Sequence, residues 1–284
     1  MTGQPTEQPM FTTEPPQAFW RSRLAAVADQ YMSVPLAKLP EDLRLYEHIL
    51  WQTTPTVIVE IGVQYGGSAL WFRDRLEDLR RYLPGPKPLV IGVDLDTSLA
   101  LTNIQKAPEG IHLIEGDITS SAVATKVVQL VEPHSGVLVV DDGAHTYDST
   151  LSALEVLAPL VRPGDFYVVE DTVVDVEALR VSPGWPRGAG RAVEDWLRTP
   201  TGSAFRRRRD MERYGVTCQP GGYLQRVQAG SNTEGRTASR SQPDLLSIRR
   251  HLAVAIGRTA TALRMLEGRL DPGGDRRTPR LPPG

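Results

Sequence analysis

Two short stretches hold most of the groups that could do chemistry. VVDDGAHTYDS brings Asp141, Asp142 and His145 close together, and VVEDTVVD sets Glu170 beside Asp171. Each follows an apolar, β-branched run, so both acid groups are expected just past the carboxyl ends of strands, where open α/β sheets bind ligands. Carboxylates gathered in a partly buried crevice repel one another, and a divalent cation is the simplest remedy. Three carboxylates and one imidazole suit a hard ion that keeps some waters: Mg²⁺ first, with Mn²⁺ or Ca²⁺ as substitutes. On this reading Asp142, Glu170 and Asp171 hold the ion. Asp141 competes with Asp142 for the place on its strand, and the one that does not face the metal faces the cofactor or the backbone. His145, three residues beyond Asp142, lies over the site as general base. The alternative for these acids is to cap the helices that follow their strands.

A third stretch, VIVEIGVQYGGSALWF from Val57 to Phe72, offers a place for a second ligand. Val57, Ile58, Val59 and Ile61 read as a strand buried on both faces. Gly62, Gly66 and Gly67 let the backbone turn and approach a ligand, and Ser68 is suited to cap the following helix. The spacing E-x-G-x-x-x-G-G-S is not the dinucleotide fingerprint, and no Lys follows the last Gly as a phosphate loop requires. The next strand ends at Asp94, some 27 residues beyond Gly67, where a carboxylate can accept both ribose hydroxyls of a nucleoside. Glu60 can hold the turn or the ligand's amino group. Asp117, in GDITS, can meet an adenine amino group or cap a helix, and Tyr65 joins the cofactor-binding set. These features suit S-adenosylmethionine better than a pyrophosphate.

The elements that must position these residues alternate. Strands are expected at Val57 to Ile61, Leu89 to Val93, His112 to Glu115, Val137 to Val140 and Phe166 to Glu170, with helical stretches between. Such alternation gives right-handed crossovers and a doubly wound, mostly parallel α/β sheet. Gly215 to Cys218 and Tyr223 to Val227 flank QPGG and read as a terminal antiparallel hairpin. Helical patterns from Phe19 to Met32 and Asp42 to Gln52 are expected to cover the mouth of the site. Residues 1–17 carry almost nothing to bury and are expected to be disordered. The catalytic domain then spans 18–228, 229–242 form a linker, 243–271 an amphipathic helix and 272–284 a frayed tail. In that helix Leu252, Ile256, Thr259, Leu263, Leu266 and Leu270 recur at spacings of 4 and 3. This stripe could pair subunits into a homo-oligomer or dock on the chain's own domain.

Bulk properties exclude several classes. With 284 residues, 40% of them apolar, the chain can bury one substantial core. Cys218 is the only cysteine, which excludes an intrachain disulfide and a Cys-based zinc cluster and fits a reducing cytoplasm. No apolar run approaches the roughly 18 residues of a membrane span, and the N-terminus lacks a basic segment followed by a hydrophobic one, so a soluble, non-exported protein is expected. The net charge of −2 is uneven, with ten Arg against five acids in residues 229–284. The acidic remainder argues against nucleic-acid binding.

With these positions placed, the chain resembles the cephalosporin hydroxylase and rhamnosyl O-methyltransferase family, metal-dependent relatives of the S-adenosylmethionine methyltransferases. The resemblance runs from about Pro35 to Val227 through KLPEDLRLYEHIL, VEIGVQYGGSALWF, IGVDLD, GDITS, VVDDGAH, RPGDFYVVED, GRAVEDWL and GGYLQRV. It implies that Asp142, Glu170 and Asp171 are metal ligands and His145 the base, and that Gly62, Gly67, Asp94 and Asp117 touch the cofactor. The oxygen-activating two-His-one-carboxylate triad would need a second histidine near the crevice, so methyl transfer to a small hydroxylated acceptor leads over hydroxylation. A non-catalytic cofactor-binding partner is the third reading. Sugar diols, catechols or decorated natural products could bind such a metal through adjacent oxygens. The loop Ser182 to Arg191 is expected to fold over the acceptor, where Trp185 and Tyr147 either stack on its ring or merely pack.

Overall fold

The structure, a computed structural model, describes residues 20, 21, 23, 24, 29–104, 109–180 and 182–227. The strands are β1 (Asp29–Tyr31), β2 (Val34–Leu36), β3 (Val57–Ile61), β4 (Leu89–Asp94), β5 (Ile111–Glu115), β6 (Val137–Asp141), β7 (Phe166–Val169), β8 (Phe205–Arg207) and β9 (Tyr223–Arg226). The α-helices are α1 (Pro40–Thr53), α2 (Gly67–Tyr82), α3 (Ser98–Ile104), α4 (Ser121–Val131), α5 (Tyr147–Leu157) and α6 (Ala189–Trp196).

Seven strands form one sheet in the order β5-β4-β3-β6-β7-β9-β8. β3 pairs in parallel with both β4 and β6, and β6 with β7, while β9 runs antiparallel to β7 and β8. The order reverses between β4 and β6 on either side of β3, which opens a crevice at the carboxyl ends of β3 and β6. Buried runs such as VIVEI and VLVVD fill both faces of the sheet. Ile58, Leu138 and Val168 face Tyr46 and Ile49 of α1 and Phe72 of α2. Val59, Val139 and Tyr167 face Val127 of α4, Leu154 of α5 and Trp196 of α6. Alternate residues of one strand therefore feed two separate cores, the period-2 rule applied to a sheet covered on both sides.

Three expectations are corrected. The helix expected from Phe19 to Met32 does not run through, because Asp29–Tyr31 is a strand paired with Val34–Leu36. Met32 and Ser33 between them have φ of 53° and 65°, the two positive angles of the hairpin turn that matches strand twist. The expected hairpin around QPGG has the wrong first arm, since β9 pairs antiparallel with β8 on one side and β7 on the other. Residues 215–218 cannot serve, because their backbone is engaged elsewhere: Cys218 N donates to Asp42 Oδ2 at 2.8 Å and Cys218 O accepts from Val173 N at 3.1 Å. Ser68 does not cap its helix. Gly66, at φ 86°, is the N-cap, and Ser68 lies buried within the first turn.

Among the described residues no helix is long and apolar enough to cross a membrane. The expected disordered N-terminus, linker, amphipathic helix and tail, with the homo-oligomer reading they carry, lie outside the described residues.

Candidate active site

The glycine turn after β3 is pressed against the acid turn after β6. A Cβ on Gly62, which sits at φ 82°, would lie 2.0 Å from the carbonyl oxygen of Asp142. Across the turn, a Cβ on Gly67 would lie 2.1 Å from the carbonyl oxygen of Pro35 in β2. Both glycines are thus required by the protein's own backbone, and the β1–β2 hairpin lies directly on the turn. Asp94, at the tip of β4, accepts from Gln64 N at 2.8 Å and so closes the third side. Tyr65 is 38% exposed beside it, and its carbonyl accepts from Asn103 Nδ2 at 2.9 Å. Asp117 is exposed past β5, where Thr119 N donates to it at 2.8 Å and holds its carboxyl below the ordinary value.

The acid residues divide by depth. In the outer part, Asp142, His145 and Asp171 each bring one ligand atom to within 4.8 Å of the others. His145 Nε2 lies 3.5 Å from Asp171 Oδ2 and 3.8 Å from Asp142 Oδ1. Both His145 (φ 54°) and Asp171 (φ 51°) hold left-handed backbone, a conformation that costs about 1–3 kcal/mol in such residues and clusters at functional sites. Burial raises the Asp171 carboxyl above its ordinary range, opposed by His145.

In the inner part stands a cation that the motif reading does not anticipate. Lys38, 4% exposed, places Nζ 2.7 Å from Glu170 Oε1, 2.9 Å from Asp142 Oδ2 and 3.9 Å from Glu60 Oε1. Burial disfavours its charge, but the three carboxylates outweigh that and hold its pKa above the ordinary value. Part of the remedy for clustered carboxylates is therefore a lysine, where the sequence suggested a metal alone. Glu170 Oε1 also accepts from Tyr46 OH at 2.5 Å, so this oxygen faces inward. Tyr46 and Asp42 belong to α1, and Asp42 accepts from Cys218 N and, at 3.0 Å, from Tyr223 OH. Burial pushes the Asp42 carboxyl up to about 7.

Lys38, Asp42 and Tyr46 are the site residues that sequence reasoning missed. They recur at intervals of four, and Asp42 shares a helix face with Leu45, Tyr46 and Ile49, all buried. An acid on an otherwise apolar stripe was the available signal.

Glu60, fully buried at the crevice floor, has no hydrogen-bonding partner for either carboxylate oxygen. Burial pushes it up to about 8, against the pull of Lys38 and the Ser68 hydroxyl. Asp141 turns to the other face of the sheet, where Tyr167 OH and Gly143 N reach it at 3.5 and 3.4 Å and burial raises it to about 7. Of the two adjacent acids, Asp142 is thus the one in the crevice.

The outer wall is pinned. Arg180 is buried and donates to the carbonyls of Val174, Pro183 and Trp185 at 2.5, 3.1 and 2.6 Å. Asp175 accepts from Gly188 N at 2.7 Å and Arg191 N at 3.1 Å. The expected loop Ser182 to Arg191 is shorter than its sequence suggests, because α6 begins at Ala189. Trp185 is half-buried against two apolar clusters, and Tyr147 OH donates to Asp195 at 3.2 Å. His48 meets Tyr214 OH and His134 meets Thr56 Oγ1. Among the described residues, His145 is the one imidazole in a metal-sized group of ligands, so no two-His set for iron is assembled there.

Comparison with known proteins gives the family and the fold. A family model described as Rhamnosyl O-methyltransferase/CmcI matches residues 25–227. Rhamnosyl O-methyltransferase from Mycobacterium tuberculosis is 26% identical over 196 residues, covering 68% of this chain and 76% of that protein. A Streptomyces olivaceus protein named 8-demethyl-8-(2-methoxy-alpha-L-rhamnosyl)-tetracenomycin-C 3'-O-methyltransferase is 29% identical over 136 residues, 45% of this chain and 31% of its own. An apo structure of CmcI superposes with a TM-score of 0.52 at 23% identity, covering 80% of this chain and 92% of that one, and shares the fold.

Proposed function

We propose that this chain, which belongs to the Rhamnosyl O-methyltransferase/CmcI family, is an S-adenosylmethionine-dependent O-methyltransferase whose acceptor is a sugar hydroxyl and whose site takes a divalent cation, Mg²⁺ first. The observation that carries this reading is the convergence of Asp142, His145 and Asp171 within reach of one ion, beside the glycine turn. Two carboxylates of raised pKa and an adjacent imidazole fit a divalent ion, which would discharge them. Glu60, buried with no hydrogen bond to either oxygen, is assigned to the cationic amino group of the cofactor, and Asp94 to its ribose hydroxyls.

In this scheme Asp142 and Asp171 would hold the ion, with Glu170 as the third carboxylate beside them. Such an ion, when bound, lowers the pKa of a coordinated hydroxyl, and S-adenosylmethionine supplies an already activated methyl group. His145 removes the acceptor proton at Nε2 as the oxygen attacks, because an aliphatic alcohol is a poor nucleophile at neutral pH. The relatives named as rhamnosyl O-methyltransferases support a rhamnosyl or related sugar. The test is methyl transfer from labelled cofactor to a panel of rhamnosyl glycosides with Mg²⁺, read by product mass. A gain of one methylene that chelation abolishes is expected; a gain of one oxygen, or turnover indifferent to chelation, would refute the proposal.

A further inference from the structure

Lys38 takes no part in the chemistry above, yet its ammonium is buried at the centre of the acidic crevice. It is 3% exposed at the side chain and touches the two carboxylates that strands β6 and β7 bring together. Asp142 is shared: Oδ2 meets Lys38 at 2.9 Å, while Oδ1 faces His145 at 3.8 Å. One oxygen thus serves a tethered cation and the other serves the outer group. Glu60 Oε1 lies 3.9 Å from the same nitrogen. Nζ thus sits between Asp142 Oδ2 and Glu170 Oε1, the place a cation bridging those two carboxylates would take, and two-metal sites hold their ions about 3.5–4 Å apart.

We propose that Lys38 is a tethered monovalent cation standing where a second divalent ion would otherwise bind, so that the crevice takes a single, more weakly held metal. The inference rests on the divalent-ion reading of the outer group and deepens it. The ammonium cannot diffuse away, because the chain on either side is fixed. Before it, the β1–β2 hairpin is packed on the glycine turn through the Pro35 carbonyl. After it, Pro40 opens α1, whose Tyr46 binds the same Glu170 oxygen. A fixed positive charge within a few ångströms of a metal weakens that metal's binding by direct repulsion at the reduced dielectric of a buried site.

The test counts Mn²⁺ on the full-length chain by the electron paramagnetic resonance of free ion, with S-adenosylmethionine present and without any turnover. Wild type is expected to bind one ion. Lys38→Ala is expected to gain a second ion or bind the first at least about tenfold more tightly. Lys38→Met, which keeps the volume, is expected to show the tighter single ion, and it decides the matter should the alanine variant fail to fold by circular dichroism. Lys38→Arg keeps the charge and is expected to match wild type. One ion at wild-type affinity in the folded Ala or Met variant would overturn the proposal while leaving the metal site intact. Absence of bound Mn²⁺ in wild type and variants alike would overturn the metal site itself, and the proposal with it.

Discussion

The inner and outer parts of the acidic crevice are built from the same two strand tips, yet they solve the same electrostatic problem differently. Glu170 and Asp171 are neighbours in sequence. Glu170 is 3% exposed and tied to Lys38 and Tyr46, whereas Asp171, with its side chain 34% exposed, faces His145 at 3.5 Å. The deep acid is satisfied by groups the chain carries itself, because leaving a buried carboxylate unpaired would cost several kcal/mol. The shallow pair is left for something that arrives from solvent. A crevice can therefore be preorganised at its floor and open at its mouth without any change of residue type.

That contrast can be broken most forcefully at the mouth. Asp171→Ala or Asp142→Ala is expected to lower turnover by about a thousandfold or more and to abolish Mn²⁺ binding, while calorimetry finds S-adenosylmethionine bound as before. His145→Ala is expected to reduce kcat by ~10²–10⁴-fold with Mn²⁺ affinity unchanged. A parallel loss of metal affinity would make His145 a ligand and return Glu170 to a purely structural part.

At the floor the expected effects are on stability. Tyr46→Phe leaves the inward oxygen of Glu170 short of a donor and is expected to cost about 1–3 kcal/mol in denaturant melts, with KM for the acceptor unmoved. Asp42 and Asp141 are raised to about 7 and Glu60 to about 8, each chiefly by burial. The folded state then keeps protons that the unfolded chain has already released. Metal-free protein is expected to lose stability as pH rises from about 4 to about 8, and saturating Mg²⁺ with cofactor to flatten that slope. Thermal melts at stepped pH that rise through this window would show the carboxyls to be ionised in the folded chain. The smallest effect is expected at Tyr147→Phe, which loses the hydrogen bond to Asp195 and should leave both the denaturant midpoint and KM within error of wild type. A larger change in KM for Tyr147→Ala than for Tyr147→Phe would assign the ring to the acceptor.

Much of the sheet was legible because its signal is local. Val57 to Ile61 and Phe166 to Val169 are apolar runs bounded by turn residues, and a strand buried on both faces can hardly be written otherwise. The error at Phe19 to Met32 arose because an amphipathic pattern carries no mark of two successive positive φ angles at Met32 and Ser33. The error at Gly215 to Cys218 arose because nothing near QPGG in sequence says that Asp42, far upstream, takes the Cys218 amide. Among the acids, the pairing of Asp142 with Asp171 followed from strand tips on adjacent parallel strands, but the inward turn of Glu170 did not.

What the chain's residues determined alone was a set of local facts: alternating strands and helices, glycines at one turn, and acids at the ends of two strands, because hydrophobic period and backbone freedom act over a few residues. Which acid is deep and which is open was settled only when α1 and the hairpin before it folded across the sheet. That closure brings an ammonium from position 38 to carboxylates at 142 and 170. Charge interactions depend on distance and burial in space, and separation along the chain encodes neither.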